Sequence, residues 1–200
     1  MTHLTTLQKL RQTLELHEPA DDKEGVDRGE MLHRAQTLPS PFDRKGPDAH
    51  FTGSALVVDS TGTRVCLLLH RKLNRWLQPG GHAEAADEGE LATTALREAR
   101  EELGLTVRLH PTAPAPLDLD IHRIPGRADE PGHWHLDVRY LLVAEDPDAL
   151  RADAEETSGA QWLTFDEALA RADEAPLRRL LMKGRRAAPA GTSSAGPTRG

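Results

Sequence analysis

Leucines near the start of the chain recur at helical spacing. Leu4, Leu7, Leu10 and Leu14 predict an amphipathic helix over residues 3–17, which Pro19 ends. Met31, Leu32 and Ala35 share one side of a second short helix predicted over residues 27–38, stopped by Pro39-Ser40-Pro41. The period then changes. Residues 51–58 are rich in small and β-branched side chains and read as a strand. Asp59-Ser60-Thr61-Gly62 supplies a turn, and residues 64–70 read as the returning strand of a hairpin. A basic loop at 71–75 leads through Trp76 and Leu77 to a tight turn at Gln78-Pro79-Gly80-Gly81.

The next helical stripe is Leu91, Ala95, Ala99 and Leu103, widened by Ala92 and Leu96. Asp87 and Glu90 have capping-box spacing ahead of it, with Asp87 as the expected N-cap, and Gly104 suits the position just past its end. Strands are predicted at 105–109, 117–124, 135–144 and 161–163, and helices at 165–172 and 175–183. Strands interleaved with helices and hairpins define a mixed α/β (α+β) sandwich rather than an all-parallel sheet. The expected organisation is a helical extension at 1–46, one domain at 47–183 and a disordered tail of Ala, Pro, Gly, Ser and Thr at 184–200.

With 38% hydrophobic and 28% charged residues, the 200-residue chain can bury a core and is not a wholly disordered protein. The single cysteine, Cys66, excludes a disulfide framework and a cysteine-rich zinc site, and its apolar flanks make it a buried strand thiol. No signal peptide and no apolar run of the ~20 residues that span a bilayer are visible, which predicts a cytoplasmic protein without a membrane partner. The formal charge of −7 argues against coating nucleic acid, since phosphate affinity comes mostly from Lys and Arg. That charge is unevenly placed: residues 82–102 hold seven acidic and two basic side chains.

Within that stretch, Glu98, Glu101 and Glu102 stand at i, i+3 and i+4 of the predicted helix, on the face away from the apolar stripe. Grouped carboxylates repel one another unless a cation sits among them, and oxygen-only ligands suit a hard ion such as Mg²⁺ or Mn²⁺. Arg97 is i to Glu101 and close enough to orient it. A solvated acidic helix face with one Arg–Glu pair is the plain alternative. The Gly80-Gly81 pair upstream favours the site, because glycine lets backbone approach a ligand closely.

The run Arg97-Glu98-Ala99-Arg100-Glu101-Glu102-Leu103-Gly104-Leu105 resembles the second half of the Nudix hydrolase box, G-x5-E-x7-R-E-U-x-E-E-x-G-U with U bulky and apolar. Pro79-Gly80-Gly81 matches its start, and the likeness covers roughly residues 47–175. One departure is the stretch between Gly81 and Arg97, two residues longer than the family's. The equivalent of the first box Glu therefore stays open among Asp87, Glu88 and Glu90, forward counting favouring Asp87. The resemblance implies a Nudix-like α/β/α sandwich and hydrolysis of a diphosphate linkage in a small nucleoside diphosphate derivative. It implies Mg²⁺, with Mn²⁺ as the alternative, held by Glu98, Glu101, Glu102 and the Gly80 carbonyl, with Arg97 orienting the carboxylates. The family's catalytic base varies in position; Glu156, beside Glu155 in a later loop, is the candidate here. Clean-up of oxidised nucleoside triphosphates, or nucleotide binding without catalysis, are the alternatives that the box does not separate.

Candidate substrate contacts are Arg71, Lys72 and Arg75 before the glycine turn, Trp76 as a stacking surface, His82 directly after Gly80-Gly81, and His135. The chain has ten histidines. His133, His135 and Asp137 alternate on one strand face with His122 on the partner strand, a set able to bind zinc but without tight ligand spacing. The N-terminal helices are candidates for covering the site or for a homodimer contact.

Overall fold

A computed structural model describes residues 4–46, 48–126, 131–152 and 157–188. Its central strand, β1 (Ala49–Val58), is buried along its whole length. Both faces are covered: Ala55–Val58 is a continuous apolar run, whereas His50, Thr52 and Ser54 place buried polar groups on one face of the first half. It runs parallel to β7 (His133–Ala144), in register from Ala49 opposite Trp134 to Val58 opposite Val143. On its other side β1 has two antiparallel partners in turn. Val57 and Val58 face β2 (Arg64–His70), whereas Thr52, Gly53 and Ser54 face β4 (Gly80–His82). β2 also pairs with β3 (Arg75–Leu77) and β8 (Thr157–Thr164). β7 carries β5 (Val107–Leu109) at one end and β6 (Asp118–Ile124) at the other.

Strand alternation sorts the apolar residues into two cores. Phe51, Ala55 and Val57 of β1, with Leu136, Val138 and Leu142 of β7, pack under α1 (Thr6–Leu16), α2 (Asp22–Thr37) and α3 (Leu91–Leu103). Leu56, Val58, Leu141 and Val143 pack under α4 (Phe165–Arg171) and α5 (Ala175–Ala187). The result is the expected α/β/α sandwich around a mixed sheet. Cys66 is buried on β2, and burial pushes its thiol pKa up to about 12. No helix among the described residues is long and apolar enough to cross a membrane.

Several boundaries differ from the sequence pattern. α2 starts at Asp22, five residues before its predicted start, because the Asp21 carboxylate accepts the Glu24 amide at 2.8 Å and caps it there. The early turns matter to the fold: Glu24 and Asp27 accept the Leu119 and Ile121 amides of β6, both at 3.0 Å, and so satisfy an otherwise bare sheet edge. Leu10, Leu14, Met31 and Ala35 belong to the first core, so the N-terminal helices are part of its packing. Gly80-Gly81 belongs to a strand rather than a tight turn, since β1 offers it an open edge. β8 starts at Thr157, ahead of the expected residue 161, because β2 continues to pair with it. α5 runs on to Ala187, past residue 184 where the disordered tail was expected. Its Gly184 lies against Leu56, where a Cβ would come within 2.2 Å of Leu56 Cδ2.

Candidate active site

α3 rests on β1 through its stripe of Leu91, Ala95, Ala99 and Leu103, all buried. The approach is close because Gly53 lacks a side chain: a Cβ there would stand 2.5 Å from the Leu91 carbonyl oxygen. Gly104, at φ 65°, ends the helix in the left-handed conformation expected of that position. This seating aims the acidic flank of α3 at β4. Glu102 Oε2 accepts the Gly80 amide at 2.9 Å. The Glu98 carboxylate lies against Gly81, where a Cβ would be 2.4 Å from Glu98 Oε1. Glu101 is the exposed member, its side chain 57% accessible.

One guanidinium ties these parts together. Arg97 Nη1 donates to Glu98 Oε1 at 3.0 Å and to Glu101 Oε2 at 2.9 Å. Its Nη2 donates to the His82 carbonyl at 2.7 Å and to Asp87 Oδ2 at 2.9 Å, and Nε reaches Asp87 Oδ1 at 3.2 Å. Burial works against the charge on Arg97, but Asp87 and Glu98 outweigh it and raise its pKa. Burial likewise pushes the Asp87 carboxyl up, and the bonds from Arg97, the Glu84 amide and Thr94 hold it below the ordinary range instead.

Asp87 is therefore not the cap of α3. It lies buried in a short 3₁₀ turn, Ala85–Asp87, and Glu90 occupies the N-cap position. The longer stretch after Gly81 makes this turn and delivers Asp87 to Arg97. Of the three acids that counting left open, Asp87 is the one that meets the arginine; Glu90 pairs with Lys9 at 2.6 Å, and Glu88 is exposed.

The structure thus brings Gly80, Arg97, Glu98, Glu101 and Glu102 together. Their chemistry fits a hard divalent cation: carboxylate oxygens beside a glycine backbone, with a cradle at Gly81 that any side chain would fill. Gly81→Ala should accordingly lower metal-dependent activity by about 10-fold or more, because the new methyl displaces Glu98. The displaced group is the end of a flexible side chain, so the melting temperature should change little. Parallel rate and thermal-unfolding measurements check both halves.

The other candidates fall elsewhere. Arg71 and Lys72 are exposed between β2 and β3. Arg75 is engaged by Asp173, at 3.1 Å, and by Glu174. Trp76 packs against the second core, with the Arg171 guanidinium 4.9 Å from its ring centroid. Glu155 and Glu156 lie outside the described residues.

His82 and His135 meet on the sheet face away from α3, their Nε2 atoms 3.2 Å apart. His133 Nε2 is 3.3 Å from the same His135 atom. The fourth member, His50, was not expected. It is fully buried, and its ring centroid is 4.9 Å from each of those of His82, His133 and His135. Burial, then the neighbouring imidazoles, lower the His50 pKa to about 4, and the same two causes lower that of His135. Register explains the grouping: His50 faces His135 across the parallel β1–β7 pair, a pairing that no local sequence signal carries. Two residues of the expected His/Asp set are engaged otherwise. His122 Nδ1 pairs with Asp120 at 3.0 Å, and Asp137 binds Thr52, Ser54 and Arg139.

The fold and the α3–β4 site define a class, and comparison with known proteins agrees. The NUDIX domain family model matches residues 50–183, more than half of the chain. The protein belongs to the Nudix family, whose hydrolases cleave phosphoric anhydride bonds. Among solved structures, the chain is similar to a MutT NUDIX hydrolase from Burkholderia pseudomallei, with 20% identity, coverage of 68% of this chain and 98% of that one, and a TM-score of 0.50. It is also similar to the NUDIX domain of Shewanella oneidensis NrtR complexed with ADP ribose, with 17% identity, 78% and 97% coverage, and a TM-score of 0.51. A NUDIX-family hydrolase from Clostridium perfringens is 26% identical over 69% of this chain and 95% of that one, with a TM-score of 0.49. No curated protein matches the chain.

Proposed function

We propose that this protein is a Mg²⁺-dependent diphosphatase that hydrolyses the diphosphate linkage of a small nucleoside diphosphate derivative. The observation that carries this reading is the Arg97 clamp, which holds Glu98 and Glu101 in place on the helix whose Glu102 is docked on Gly80. Glu98, Glu101 and Glu102, with the Gly80 carbonyl, would hold Mg²⁺ or Mn²⁺. The bound ion would supply phosphate charge neutralisation and an acidified water. Arg97 aims the carboxylates of Glu98 and Glu101, and Asp87 fixes Arg97 in turn. Glu156 is the proposed base. Arg71 and Lys72, both exposed, are the proposed cations for the substrate's outer phosphate.

The test is a panel of substrates at millimolar Mg²⁺ with identification of the phosphate products. ADP-ribose belongs in it because the Shewanella oneidensis neighbour was solved with that ligand. Nucleotide sugars, dinucleoside polyphosphates and oxidised nucleoside triphosphates complete it. Metal-dependent release of a nucleoside monophosphate from a diphosphate derivative is the expected result. Turnover confined to oxidised triphosphates would move the assignment to nucleotide clean-up. Tight nucleotide binding with no hydrolysis would make the protein a binding module.

A further inference from the structure

The cluster of His50, His82, His133 and His135 has no part in the phosphate chemistry proposed above, and it is costly as it stands. Among the described residues, neither ring nitrogen of His50 has a hydrogen-bond partner, although the residue is fully buried. A buried polar group without a partner costs stability, and native interiors contain few of them. Hydrogen bonding within the cluster does not account for the other contacts either. His135 Nε2 has a single in-plane position, yet it faces the Nε2 atoms of both His82 and His133. One imidazole nitrogen cannot make a well-aligned hydrogen bond to both.

A central cation resolves both problems. One nitrogen from each of the four histidines can be chosen so that all lie within 4.8 Å of one another. Nitrogens bound at the usual Zn–N length in a tetrahedron stand about 3.3 Å apart. The two contacts at His135, 3.2 and 3.3 Å, already have that spacing. His133 Nδ1 is 3.1 Å from the Pro131 carbonyl, so it carries the proton and turns the Nε2 lone pair inward. That arrangement, in which the second ring nitrogen is fixed by an acceptor, orients metal-bound histidines. The donor set is all imidazole, which suits zinc and its neighbours among the transition metals and does not suit Mg²⁺ or Ca²⁺.

We propose that His50, His82, His133 and His135 form a structural binding site for a zinc-class transition metal, separate from the glutamate site on α3. Four protein ligands complete a tetrahedron and leave no position for substrate. The metal ties together β1, β4 and β7. β4 gains most, because it is three residues long and pairs with β1 at Thr52, Gly53 and Ser54. His82 is its last residue, and its backbone carbonyl also accepts Arg97. The clamp therefore steadies the strand against which Glu98 and Glu102 are seated, from the opposite face of the sheet.

The untagged full chain should be stripped with a chelator and reloaded with Zn²⁺, or with Co²⁺ as a spectroscopic probe, in excess Mg²⁺. One equivalent of Zn²⁺ per chain is expected, with a raised melting temperature. The Co²⁺ form should show the strong visible absorption of four-coordinate cobalt. His50→Ala and His133→Ala should each weaken binding by at least about 100-fold. Glu101→Gln should leave it intact, which separates this site from the one on α3 and makes the result independent of any hydrolase assay. The proposal is overturned if the folded, stripped chain binds no Zn²⁺, if both histidine variants bind as the parent does, or if the cobalt spectrum is that of a six-coordinate ion. Should a histidine variant not fold, the parent's stoichiometry and cobalt spectrum decide the matter.

Discussion

Glu102→Gln is expected to lower Mg²⁺-dependent hydrolysis by about 10³-fold while leaving the fold intact. The reason lies in what the substitution keeps. Glu102 Oε2 accepts the Gly80 amide, and the amide oxygen of Gln can accept the same bond. The loss is therefore of charge and of an anionic ligand oxygen. A metal at such a site contributes several kcal/mol to the transition state, and each 1.4 kcal/mol is a factor of about ten in rate. Glu101→Gln should behave alike: Glu101 is exposed, and its Arg97 bond survives in the amide. Rates at saturating Mg²⁺ set beside thermal unfolding provide the check. Parent-like turnover in either variant would sink the metal assignment.

The residues behind that prediction were readable because they are local. Glu98, Glu101 and Glu102 share a helix face by spacing alone, and Arg97 reaches Glu101 across one turn. The β1–β2 hairpin was legible for the same reason, its turn chemistry standing between two apolar runs. Asp87 shows where locality stops. Its spacing to Glu90 is that of a capping box, yet the lengthened stretch after Gly81 folds into its own turn, and a half-buried arginine ten residues on claims the carboxylate. His50 lies further beyond reach. It joins His133 and His135 only through a parallel pairing that spans most of the domain, and only the assembled sheet reveals it. The roles of Glu24 and Asp27 belong to the same category, since both serve the edge of β6.

Arg139→Met is expected to destabilise the fold by about 3–5 kcal/mol, a large part of the stability of an ordinary domain. Arg139 is buried on β7 among three buried aspartates. Its Nε donates to Asp137 at 2.8 Å, Nη2 to Asp120 at 3.0 Å and Nη1 to Asp118 at 3.3 Å. The aspartates are not equally dependent on it. Asp118 keeps Arg179 at 2.7 Å, and Asp120 keeps Lys23 at 2.9 Å. Asp137 would be left with the hydroxyls of Thr52 and Ser54. A shift of about 10 °C in melting temperature follows for a chain of this size. Acid should separate lost charge from lost packing. Burial would raise the Asp120 carboxyl, but His122, Arg139 and Lys23 outweigh it and hold the folded-state value well below the ordinary range. A depressed carboxyl stabilises the fold above its unfolded pKa, near 4, and that contribution is lost as pH falls from there toward the folded value. The parent should therefore weaken progressively below about pH 4. In Arg139→Met the Asp120 carboxyl loses one of the cations that hold its value down, so that value rises and protonation relieves part of the unpaired charge. The gap in melting temperature between parent and variant should narrow as pH is lowered from 7 to 4. A gap that stays constant over that range would mean that the guanidinium fills space at this position rather than balancing charge.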